Sequence, residues 1–136
     1  MTSPVIPVLI YEDIEAAHDQ LVRVFGFESD GVERLPDGTV VHAEVRVGDS
    51  RVWLHRVSED LASPRSLSHL NGGLVVHVDD VDGHFRRARA AGTTIDREPQ
   101  DQPYGQREYG ARDLEGHHWW FATPTAPPAL ADRPTR

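Results

Sequence analysis

Leu74-Val75-Val76-His77-Val78-Asp79-Asp80-Val81-Asp82 repeats, at an offset of about 67 residues, the order of an earlier stretch: the apolar run Val5 to Ile10 followed by Tyr11-Glu12-Asp13-Ile14. In each copy the apolar run passes through a short acidic turn into an amphipathic segment, Glu15 to Phe25 in the first and Asp82 to Ala91 in the second. An apolar run bounded by turn residues reads as a strand, and the 3.6-residue spacing after it reads as a helix. Asp13 and Asp80 are placed to accept from the free N–H groups of the first helical turn. Gly26 and Gly92 follow the last turn, where a left-handed residue ends a helix.

Strand-like segments follow each helix. In the first copy Leu35-Pro36-Asp37-Gly38 and Val47-Gly48-Asp49-Ser50 are turns. Between them Val41, Ala43, Val45 and Val47 alternate with His42, Glu44 and Arg46, and Arg51 to Val57 is the next strand. The second copy offers strands at Thr94 to Arg97, Gln106 to Arg112 and His117 to Ala122, with a loop Glu98 to Gly105 and a turn Asp113-Leu114-Glu115-Gly116. Each copy is therefore βαβββ: residues 1–57 form the first module, 58–71 a linker, 72–124 the second module and 125–136 a flexible tail. A helix covers only one face of such a sheet. Two modules must meet, within one chain or across a dimer, and the expected product is an α+β fold with a curved eight-stranded mixed sheet around a cavity.

Composition narrows the function. The chain of 136 residues suits one domain. It has no cysteine, which excludes a disulfide framework, a thiolate nucleophile and any Cys-containing zinc site. All 14 basic residues are Arg, so a lysine Schiff base is excluded, and the bias suits coding in a GC-rich bacterial genome. A formal charge of -8 argues against a nucleic-acid partner, which needs a basic surplus. The acidic excess either keeps the protein soluble or favours a cationic ligand. The segment Met1 to Asp13 has no basic signal-peptide region and no apolar run spans a membrane, so a cytoplasmic location is expected.

The stretches His42-Ala43-Glu44-Val45-Arg46-Val47-Gly48-Asp49, Val78-Asp79-Asp80-Val81-Asp82, Gln102-Pro103-Tyr104-Gly105-Gln106-Arg107 and Asp113-Leu114-Glu115-Gly116-His117-His118-Trp119-Trp120-Phe121 carry a resemblance. Over residues 4 to 124 the chain resembles the vicinal oxygen chelate superfamily, in its glyoxalase and bleomycin-resistance branch. The resemblance implies four cavity-facing positions that hold a metal in metal-dependent members, and the repeat carries them onto Ile6, Trp53, Gly73 and Trp120. None offers a carboxylate or an imidazole. No metal cofactor is therefore expected, although His55 and His77 lie nearby and leave a rearranged site open. The resemblance also implies a homodimer.

Several residues are candidates for ligand contact. Trp53 and Trp120 are equivalent in the two copies, either a clamp for a flat or cationic ligand or simple filler of the vacated space. His42, Glu44 and Arg46 either line the cavity or form a charged outer face. His55, His77 and His118 should point inward by two-residue alternation, and a neutral imidazole there can act as a base. Tyr104 and Arg107 border the cavity mouth in related proteins, or else serve the turn. Trp119 and Phe121 are expected to pack under a helix, and His18, His69, His84 and His117 to lie at the surface. The favoured reading is a metal-independent protein that sequesters an aromatic or cationic metabolite or antibiotic. Its rival is an enzyme, a lyase, isomerase or dioxygenase, with a displaced metal site or metal-free His and Glu catalysis.

Overall fold

The computed structural model describes residues 4–125, so the expected tail beyond Thr125 lies outside the described residues. The βαβββ order recurs twice, and the eight strands form two four-stranded mixed sheets with no closed barrel. The chain divides into two compact units. One holds residues 4–71 together with Asp113–His117, and the other holds Gly72–Arg112 with residues 118–125.

In the first unit β1 (Val8–Tyr11), α1 (Ile14–Arg23), β2 (Glu28–Arg34), β3 (Val40–Val47) and β4 (Ser50–Arg56) follow one another, and the strand order is β1-β4-β3-β2. Only β1 and β4 run parallel. Helix α1 starts where Asp13 accepts from the Ala16 N–H at 3.1 Å. It buries Ile14, Ala17, His18 and Leu21. The sheet answers with Ala43, Val45, Val52 and Leu54. Strand β1 starts later than the apolar run suggests, because Val5 is largely exposed.

His18, expected at the surface, is buried. Its Nε2 lies 2.7 Å from Ser29 Oγ and its Nδ1 3.2 Å from Asp19, so the polar ring is partnered where burial would otherwise be costly. The turn Asp113–Gly116, assigned by sequence order to the second copy, is packed into the first unit by two buried carboxylates. Asp113 accepts from Tyr11 OH at 2.5 Å and from the N–H groups of Glu115, Gly116 and His117. Glu115 accepts from the N–H groups of Glu12 and Asp13 and from Ser63 OH at 2.6 Å. Burial first, and then the neighbouring Asp113 charge, hold the Tyr11 hydroxyl well above its ordinary pKa. His117 also departs from a free surface position, with Nε2 2.9 Å from the Ile10 carbonyl oxygen.

The second unit repeats the plan with β5 (Gly73–His77), α2 (Val81–Ala90), β6 (Thr94–Gln102), β7 (Gln106–Arg112) and β8 (His118–Pro124), in the order β5-β8-β7-β6. Asp80 caps α2 by accepting from the Gly83 N–H at 3.0 Å, and Gly92 beyond its end has φ +82°. The core is aromatic: Phe85, Tyr109, Trp119 and Phe121 are all buried, the last two where the sequence places them. His84, expected at the surface, is half-buried. Its Nδ1 lies 2.6 Å from Tyr109 OH, and its ring stacks on Phe121 at 4.1 Å. Burial also raises the Tyr109 hydroxyl pKa. Strand β6 extends through the expected loop to Gln102. It is an edge strand with two register shifts, a setting that tolerates Pro99, which has no N–H for a ladder.

Register confirms the repeat. Val8 pairs with Trp53 in the first sheet, and Val75 with Trp120 in the second. No helix among the described residues is long and apolar enough to cross a membrane.

Candidate functional site

Alternation along β3 and β4 sends one set of side chains into the first core and leaves His42, Glu44, Arg46, Trp53 and His55 on the face without a helix. Glu44 stands opposite Trp53 and His42 opposite His55. The Trp53 indole N–H donates to the Glu44 carboxylate. The His42 ring meets the rings of His55 and Trp53 edge-on at 4.8 and 5.5 Å, and the Trp53 and His55 rings lie parallel at 6.1 Å. Arg46 turns away to Glu28 at 2.7 Å and Asp30 at 2.9 Å. On this face the indole N–H and one Glu44 oxygen are spent on each other.

The corresponding face of the second sheet is a concavity of about 690 Å³. Trp120 forms part of its floor. Gly110 stands opposite Trp120 as Glu44 stands opposite Trp53, so no side chain meets the indole there. A Cβ on Gly110 would lie 3.4 Å from Trp120 Cδ1, and one on Gly73 would lie 2.7 Å from Cζ3 and 2.6 Å from the His118 carbonyl oxygen. The indole therefore lies along the sheet between two glycines. Gly73 is there because nothing larger fits.

Beside Trp120 is Glu108, a residue only 7% exposed. Its Oε1 accepts from Tyr104 OH and, at 3.1 Å, from the Gln106 amide N–H. Gln106 Oε1 in turn lies 3.3 Å from His77 Nε2. Glu108 Oε2 and Trp120 Nε1 have no partner among the described residues. No buried side-chain nitrogen or oxygen there is left unpaired, so both atoms open to the concavity. His118 stacks on Trp120 at 6.1 Å and sits 3.5 Å from Asp96, which is held by Arg112 at 3.0 Å.

Of the candidate residues, the second sheet thus gathers Trp120, Tyr104, His118 and, through Gln106, His77. The first gathers Trp53, Glu44, His42 and His55. Arg107 joins neither group. It alternates to the helix side of β7 and pairs with Asp82 at 3.1 Å and Asp101 at 3.3 Å, and the Asp82 hydrogen bond raises its pKa. Glu108, Gln106, Gly110 and Asp96 belong to the concavity and were not singled out by sequence. The available signal was the two-residue spacing from Tyr104 through Gln106 and Glu108 to Gly110.

Ile6, Trp53, Gly73 and Trp120, the residues that the repeat leads one to expect at the family's metal positions, have side chains that supply no coordinating lone pair. Among the described residues no three His, Asp or Glu side chains gather in a way that would hold an ion. The donor set does not fit a divalent metal.

The family model described as Glyoxalase/Bleomycin resistance protein/Dioxygenase superfamily matches residues 5–121. The uncharacterized protein Mb0911c of Mycobacterium bovis is 32% identical over 123 residues, covering 87% of this chain and 81% of that protein. TioX from Micromonospora sp. ML1 is similar in structure, with a TM-score of 0.72 and 39% identity over 90% of this chain and 99% of that one. TnmS3, an antibiotic binding protein from Streptomyces sp. CB03234, has a TM-score of 0.74 and 23% identity over 92% of this chain and 98% of its own, a likeness of fold alone.

Proposed function

Taking as given that the chain belongs to the glyoxalase/bleomycin resistance protein/dioxygenase superfamily, we propose that it is a metal-independent small-molecule binding protein that sequesters an aromatic or cationic metabolite or antibiotic. One observation carries this reading: Trp120 lies along the floor of a concavity of about 690 Å³, with its N–H and one Glu108 oxygen both unspent. An aromatic platform with a few placed polar groups is how such sites hold and orient organic ligands. The donor set at the family's metal positions supports binding without an ion. TnmS3, similar in fold, is an antibiotic binding protein, and a ligand of that kind is the one we assign here. The protein acts in the cytoplasm as a homodimer in this reading, and light scattering on the purified chain tests the dimer.

Titration with a panel of flat and basic aromatic antibiotics, followed by tryptophan fluorescence, tests the function. Saturable quenching that disappears in Trp120→Phe is the expected result. No response to any compound overturns it. The second reading, metal-free acid–base catalysis, is favoured by the His118 and Asp96 pair in the same concavity. Conversion of a bound compound would establish an enzyme instead, and a stoichiometric metal in the purified protein would overturn metal independence.

A further inference from the structure

We propose that Glu108 is the counter-charge for a protonated nitrogen carried by a flat ring lying on Trp120, so that the ligand class is a planar heteroaromatic cation. The inference rests on the binding function proposed above and narrows it to one charge and one shape.

The charge follows from how Glu108 is held. A carboxylate that is 7% exposed is expensive to bury unless paired, yet no Arg or His lies within ion-pair distance of it among the described residues. The groups that do reach it are neutral, and both donate to Oε1. They fix the carboxylate plane and leave Oε2 facing the concavity with no donor. An N–H bearing positive charge there forms a charge-assisted bond, roughly twice as strong as one between neutral groups. A ligand carboxylate at Oε2 is repelled by Glu108, and the one guanidinium that lines the concavity, Arg97, forms no ion pair with Glu108 among the described residues. The chain's charge of -8 favours the same sign at longer range.

The shape follows from Trp120. The indole is backed from Cδ1 to Cζ3 by Gly110 and Gly73, so its free surface is a flat platform. A planar ring covers such a platform, and cation–π attraction rewards a ring that carries the charge. Face and carboxylate line one concavity, which lets a single rigid ligand use both.

Isothermal titration of the full chain at pH 7.5 tests this with two probes of one shape: 9-aminoacridine, a flat cation, and acridine-9-carboxylate, a flat anion. The wild type is expected to bind the cation at least tenfold more tightly. Glu108→Gln keeps the size and both accepted hydrogen bonds but removes the charge, and should weaken the cation about 10- to 100-fold while changing the anion far less. Glu108→Asp, which keeps the charge, should retain the preference. Glu44→Gln, on the other sheet, should leave it unchanged. Equal binding of the two probes by the wild type, or a preference that survives in Glu108→Gln, overturns the proposal. If neither probe binds while the antibiotic panel gives a hit, the planar-cation class is wrong and the binding function stands. If the panel also fails, both fall.

Discussion

The two helix-free faces are built on one plan and end in opposite states. Each sheet sets a Trp in the same register, opposite Val8 in the first and Val75 in the second. In the first, Glu44 takes the indole N–H, and two histidine rings close around Trp53. In the second, Gly110 replaces that Glu, and the carboxylate sits two residues earlier at Glu108, held by neutral donors. Moving the carboxylate by two positions releases the indole N–H, which Glu44 takes in the first sheet and no side chain takes in the second. The difference lies in the indole N–H, since both faces are aromatic and each sets a histidine ring against its Trp at 6.1 Å.

Filling the second face should have the largest effect. Gly73→Val must displace either the His118 backbone or the Trp120 ring, and should cost about 3 kcal/mol in urea unfolding together with ligand binding. If stability is unchanged, Trp120 does not depend on the glycine. Tyr11→Phe strips a buried hydrogen bond from Asp113 in the first unit and should cost about 2 kcal/mol while leaving ligand affinity intact. A change in affinity would show that the first unit's carboxylate staple also supports the site. Trp120→Ala should weaken a bound aromatic ligand about tenfold, and Trp53→Ala less than threefold, by calorimetry. Equal losses would erase the distinction between the faces. Glu44→Ala is the smallest perturbation: it frees the Trp53 N–H, should cost less than about 1 kcal/mol, and should red-shift tryptophan emission.

Much of this plan is legible in the chain. Asp13 and Asp80 cap the helices and Gly26 and Gly92 follow them with positive φ, because capping depends on residues adjacent in sequence. The offset of 67 also places Trp53 and Trp120 correctly on β4 and β8. It fails on β3 and β7, where Glu44 matches Gly110 at an offset of 66. A constant offset therefore sets Glu108 against Val41 instead of His42, which hides the residue on which the concavity turns. His18 and His84 depart from the surface positions expected of them for another reason. Both lie on the buried stripe of their helices, His18 between Ile14 and Leu21 and His84 between Val81 and Ala88, but the partners that make burial tolerable are Ser29 and Tyr109, distant in sequence. Histidine identity suggested solvent where helical spacing already pointed inward.

The seating of Asp113–His117 within the first unit has a consequence for how the chain can be divided. A fragment ending at Asn71 would possess every strand and helix of its module, yet it would lack the carboxylates that accept from the Tyr11 and Ser63 hydroxyls and from the N–H groups of Glu12 and Asp13. The halves repeat one plan, but the first takes its acceptors from a stretch of chain more than forty residues beyond its own last strand.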